Sequence, residues 1–168
     1  GDGLGSIGGT HGGPSAVAAD ADGVYMLNSV EEGQKCLRKI GVDGKAKWFA
    51  STGVFGTGRA VASDGKYAYM IYQPVNKAPL LARFDARTGR PVNIGSKNGP
   101  LPLVKASLRD LAVIGDKAYI TWLKKDKLMV IDLSTGEPAP DIPVPAPTGI
   151  CRGNGMELLV CSGTSIVR

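Results

Sequence analysis

The chain has one imidazole, His11 in Thr10-His11-Gly12-Gly13-Pro14, and any histidine-based acid–base or metal chemistry would depend on it. A lone His in a glycine-rich loop is also what a solvated side chain looks like. Two arginines, Arg59 and Arg109, fall at the same place in a repeat described below. Two guanidiniums in register at one opening would suit a carboxylate or phosphate, which each can grip through parallel N–H bonds. The simpler alternative is that each ties down its own loop. His11, Arg59 and Arg109 are the candidate ligand-binding residues, and no catalytic residue or cofactor can be named from the sequence.

Other chemistry-bearing residues point to structure. Cys36, Cys151 and Cys161 leave at least one thiol unpaired, and no CxxC or Cys/His spacing marks a metal site. Asp20 and Asp22 in Asp-Ala-Asp-Gly look like half of a calcium loop, but the remaining ligands and terminal Glu are missing, so a turn explains them better. The glycine-rich start lacks the GK[ST] of a phosphate loop, and GxSxG is absent. Lys124, Lys125 and Lys127 surround Asp126 without interleaved aromatics, which reads as a solvated turn, and no nucleic-acid partner is expected. Trp48 and Trp122 read as core or inter-blade packing.

The elements that position these residues must be short. The 168 residues include 24 glycines and 11 prolines, which favours strands joined by tight turns over long helices. A hydrophobic content of 43% and a charged content of 21% are those of a globular domain, the formal charge is +5, and no apolar run reaches the length of a membrane span.

Self-similarity sets the architecture. SAVAADADGVYMLNS from Ser15, RAVASDGKYAYMIYQ from Arg59 and RDLAVIGDKAYITWL from Arg109 superpose Tyr25, Tyr69 and Tyr119, and GICRGNGMELLVCSG from Gly149 places Leu159 in that position. The offsets of 44, 50 and 40 residues match a four-stranded propeller blade. Each copy runs from a short apolar strand through a turn into a β-branched and aromatic strand. Three copies continue with CLRKIGV, LLARFDA or LMVIDL and close on VDGK, DARTGRP or DLSTGEP, where Gly44, Gly89 and Gly136 supply positive φ before a fourth strand. Gly95 to Leu108 reads as the longest irregular connection. The expected fold is therefore all-β, a β-propeller segment of about three and a half four-stranded antiparallel blades. Residues 1–14 form a linker or the end of a preceding blade, 15–58, 59–108 and 109–148 form three blades, and 149–168 form a partial one. Centring the last hairpin on Asn154 would pair Cys151 with Glu157 and Cys161 with Pro147, so these thiols are not expected to face each other.

PSAVAADADGVYMLNS followed by LRKIGVDGKAKW resembles the NHL-type propeller repeat, and the DARTGRP and DLSTGEP turns resemble those of YVTN-type and quinoprotein-like propellers. The resemblance covers about residues 14–168. It implies a blade and not a function, since such propellers include lyases, lactonases, quinoprotein enzymes and interaction modules. It also implies a periplasmic or secreted setting, against which the unpaired thiol counts mildly.

Three blades and part of a fourth leave sheet edges and apolar faces uncovered. Further blades of the same protein, or another protein chain, are therefore expected as partners. Ligands of propellers sit on loops at one end of the central channel, where Arg59, Arg109 and His11 would meet an anionic ligand. The favoured function is a binding or assembly module, incomplete alone. The alternative is a fragment of a propeller enzyme, a metal-dependent lyase or lactonase or a quinoprotein-like oxidoreductase.

Overall fold

Apolar residues at alternate positions give strands from Ala16 onward among the described residues, because a strand turns successive side chains to opposite faces. The computed structural model describes residues 14–29, 34–104 and 107–168 and holds these strands in four small antiparallel sheets, the blades of a propeller. The first blade comprises β1 (Ala16–Asp20), β2 (Gly23–Ser29), β3 (Gln34–Gly41) and the leading part of β4 (Ala46–Ser63). The second takes the rest of β4, then β5 (Tyr67–Pro74), β6 (Leu80–Asp85) and β7 (Pro91–Val92). β8 (Leu101–Pro102) also pairs with β6, so the stretch read as an irregular connection contributes a strand. The third blade is β9 (Leu108–Ile114), β10 (Lys117–Trp122), β11 (Lys127–Asp132) and β12 (Pro138–Pro143). The fourth has three strands, β13 (Pro147–Arg152), β14 (Leu158–Ser162) and β15 (Ser165–Val167). A 3-10 turn at Leu123–Lys125 is the only helical element among the described residues, and it carries the exposed Lys124 and Lys125.

Registers confirm the repeat. Tyr25 opposes Ala18, Tyr69 opposes Ala62, Tyr119 opposes Ala112 and Leu159 opposes Cys151. The last pairing centres the fourth hairpin on Gly155 rather than Asn154, because Gly155 takes the left-handed φ of 64°. Cys151 thus faces Leu159 and Cys161 faces Ile166, and both thiols are free. Gly44, Gly89 and Gly136 adopt φ of 72°, 70° and 78°, as their turns require. Asp85 Oδ1 fastens its turn by accepting from the backbone of Arg87 and Thr88 and from the Thr88 hydroxyl, and Asp132 does the same with Ser134 and Thr135.

The core lies between blades. Tyr25, Leu27, Leu37 and Trp48 of the first blade pack against Val61, Met70 and Phe84 of the second. Tyr69, Ile71 and Leu81 of the second meet Leu111, Ile120 and Ile131 of the third. Ala112 and Leu128 meet Ile150 and Val160 of the fourth. β4 connects the first two blades without a loop: it pairs with β3 as far as Phe55 and with β5 from Gly56. Glycine is needed at the changeover, since a Cβ on Gly56 would lie 2.0 Å from the Gln73 carbonyl oxygen.

Candidate functional site

The first strands of the blades lie side by side, β1 against β4, β4 against β9 and β9 against β13. Residues 17–19, 61–63, 110–113 and 150–152 of these four strands line one cavity of about 300 Å³, which is the propeller channel. The first strands of the second, third and fourth blades each hold one extra residue opposite their partner strand, at or beside Arg59, Arg109 and Thr148. Such a bulge re-aims the side chains beside it. The first blade places Ser15 at the corresponding position, where its hydroxyl and N–H donate to Leu27 O.

Arg59 and Arg109 therefore occupy equivalent positions at the same end of neighbouring strands. Arg59 is half-buried, and its Nη2 donates to Gln73 Oε1 at 2.7 Å. Gln73 in turn donates to Lys77 O, so Arg59 fastens the β5–β6 loop of its own blade. Arg109 is exposed. His11 lies outside the described residues.

The channel also holds Asp110 and Arg152, which sequence reasoning passed over. Asp110 Oδ2 accepts from Ile150 N at 3.0 Å and so ties the third blade to the fourth. Its signal was available, because the repeat alignment sets an acid there against Ala60 and Ile150. Arg152 Nε donates to Gly155 O within its own hairpin.

A second cluster lies between blades, around the repeated tyrosines. Asp20 Oδ2 accepts from the Tyr25 hydroxyl at 2.6 Å and from Ser63 Oγ of the next blade at 2.9 Å, while Oδ1 accepts from Asp22 N. Burial pushes the Asp20 carboxyl up, but these hydrogen bonds and the Lys39 charge outweigh it and hold the group below the usual carboxylate range. Burial, then the Asp20 bond, raises the Tyr25 phenol well above its ordinary value. Opposite Tyr25 stands Lys39, whose Nζ lies 5.0 Å from the Tyr25 ring centroid and donates to Ala86 O of the second blade. Trp48 Nε1 donates to the same carbonyl.

The arrangement recurs one blade on. Asp64 accepts from the Tyr69 hydroxyl at 2.8 Å, Arg83 stands opposite Tyr69, and Leu133 O of the third blade receives Arg83 Nη1 and Gly95 N. In the third blade Ile114 and Val130 replace the acid and the base, so the joint to the fourth blade relies on apolar packing and Asp110. Asp20 thus forms the turn expected of it, through Asp22 N, and with Ser63 also fastens the first blade to the second. Among the described residues, no three His, Cys, Asp or Glu side chains converge in a way that could hold a metal ion.

The sequence matches no protein-family model and no curated protein. Solved structures share the fold. The chain is similar to hydrazine synthase from Kuenenia stuttgartiensis at 11% identity and TM-score 0.66, over 93% of this chain and 58% of that one. A gluconolactonase from Xanthomonas campestris aligns at 13% identity and TM-score 0.64, over 91% and 55% of the two chains. A chain of a nidogen/laminin complex aligns at 14% identity and TM-score 0.63, over 82% and 51%. These likenesses establish a β-propeller fold shared by enzymes and non-enzymes alike. The chain spans only half to three-fifths of the length of the structures it matches.

Proposed function

We propose that this chain is a propeller binding and assembly module of the NHL-like kind, whose outer blades take further blades or a partner chain. One observation carries the reading: both terminal blades turn apolar side chains to solvent. On the first blade, Val17 (62% exposed), Met26 and Phe49 share the face opposite the one bearing Tyr25. On the fourth, Cys151, Leu159, Cys161 and Ile166 (70% exposed) share the face that blades one to three bury against their successors. Arg38 stands between Met26 and Phe49 in the first of these rows, and exposed apolar side chains along an uncovered sheet face mark an interaction surface. The hydrazine synthase chain that it matches runs, by the two coverages, to about 270 residues, a length that would hold roughly six blades of about 45 residues and so supports further blades beside these.

Within the module, the channel end carrying Ser15, Arg59, Arg109 and Thr148 is the surface offered to an anionic ligand, with exposed Arg109 as its principal contact. Light scattering on the isolated chain tests the assembly reading. We expect self-association together with binding of a hydrophobic dye, both suppressed by Ile166→Glu. A monodisperse monomer that binds no dye overturns it.

A further inference from the structure

We infer that the turn-end gap between the first and second blades is a phosphate-binding site, distinct from the channel and independent of how the ring is completed. The gap is a cavity of about 690 Å³ whose lining includes Lys39, Lys66 and Arg87. Lys39 is a charged side chain with only 5% of its surface exposed. An ammonium has three N–H bonds to satisfy, and among the described residues its one acceptor is Ala86 O at 3.1 Å. The Tyr25 face attracts the charge without accepting a conventional hydrogen bond. The carboxylate acting on it, Asp20, already receives Tyr25, Ser63 and Asp22.

The acids of the gap leave its cations in excess. Asp43 is engaged by Lys47, and Asp85 Oδ1 by three donors of its own turn. Among the described residues, neither Lys66 nor Arg87 has a carboxylate within ion-pair distance. Asp22 and Asp85 are the opposing charges, since the donors that hold Asp85 Oδ1 are neutral and leave its charge in place, so Lys39, Lys66 and Arg87 stand against two carboxylates. At the next joint the chain itself lies over the corresponding turn: Gly95 approaches so closely that a Cβ would sit 2.0 Å from Thr135 O, and its N–H fills Leu133 O. At the first joint the Trp48 indole makes the equivalent bond to Ala86 O, and an open cavity stands beside it. Two ammoniums and a guanidinium from separate elements, with Lys39 buried and the Lys66 Nζ 5.0 Å from the Tyr67 ring centroid, offer donors to the several oxygens of a phosphate dianion. The ligand class is inorganic phosphate or a phosphate monoester.

Calorimetric titration of the full 168-residue chain at low ionic strength, with inorganic phosphate and separately with glycerol phosphate, tests the site. We expect saturable binding at one site per chain. Tighter binding of the monoester identifies a larger phosphorylated ligand, and tighter binding of inorganic phosphate identifies the free ion. Because Lys39 also fastens the blades, the decisive variant is Lys66→Ala/Arg87→Ala, both exposed positions, which should weaken binding about tenfold or more at unchanged melting temperature. Asp22→Asn should tighten it. No saturable phosphate binding, or binding unmoved by the Lys66/Arg87 pair, overturns the proposal, and neither result bears on light scattering of the terminal faces.

Discussion

Asp20 is one of the residues that fasten the first two blades, beside Lys39 and Trp48, and its removal measures its share of that fastening. Asp20→Ala takes away the acceptor of two side-chain bonds, from Tyr25 at 2.6 Å and Ser63 at 2.9 Å. A hydrogen bond to an ionised acceptor contributes about 1.5–3 kcal/mol when buried, and the half-exposed position of this carboxylate discounts each bond toward about 1 kcal/mol. The Tyr25 hydroxyl is then left without its partner on a ring that is fully buried, which adds about 1 kcal/mol. Asp20→Ala should therefore destabilise by about 3 kcal/mol, a fall of roughly 6–12 °C in melting temperature for a chain of this size. Ser63→Ala alone should cost about 1 kcal/mol. The two residues belong to different blades, so a double-mutant cycle in urea, read by tryptophan fluorescence, isolates the joint: the variants should couple by about 1 kcal/mol. Additivity within about 0.3 kcal/mol would show that Asp20 serves only its own turn, and the inter-blade argument would fail.

Three further outcomes follow from the same geometry. Gly89→Ala should lower the melting temperature by more than any exposed Gly→Ala change, at a cost of about 2 kcal/mol or more, because φ is 70° and the new Cβ would meet the Trp48 ring at 2.7 Å. Gly56→Ala should be at least as damaging, since its Cβ would lie 2.0 Å from backbone; a wild-type melting curve for it would contradict the β4 changeover. Stability should depend on pH at both extremes: the Asp20 carboxyl is held below its ordinary value, so its contribution is complete above about pH 4 and lost as pH falls through the depressed value. The Tyr25 and Tyr69 phenols are raised, so their contribution is complete below about pH 10 and declines as alkali ionises the unfolded chain first, which urea midpoints across both ranges should reveal.

The sequence alone determined the strands, the turns and the repeat. Each of these depends on neighbours a few residues apart: alternation sets a strand, Asp with a following glycine sets a turn, and the spacing of Tyr25, Tyr69 and Tyr119 sets the blade. The same local rules placed Gly44, Gly89 and Gly136 correctly. They failed at the fourth hairpin, where two glycines flank Asn154 and local preference does not decide which one turns left-handed. What only the tertiary structure decided were relations between residues in different blades. Asp20 is the turn residue the sequence indicates, through Oδ1 and Asp22 N, but that its second oxygen is filled by Ser63, 43 positions away, is visible only in the fold. Lys39 drew no notice in its strand, since its acceptor, Ala86 O, lies 47 positions away. Arg59 could be placed in register with Arg109 from the repeat, but its engagement with Gln73 depends on how β4 and β5 pair around a bulge. A side chain's acceptor across a joint is set by how one twisted sheet packs on the next, and no spacing along the chain encodes that geometry.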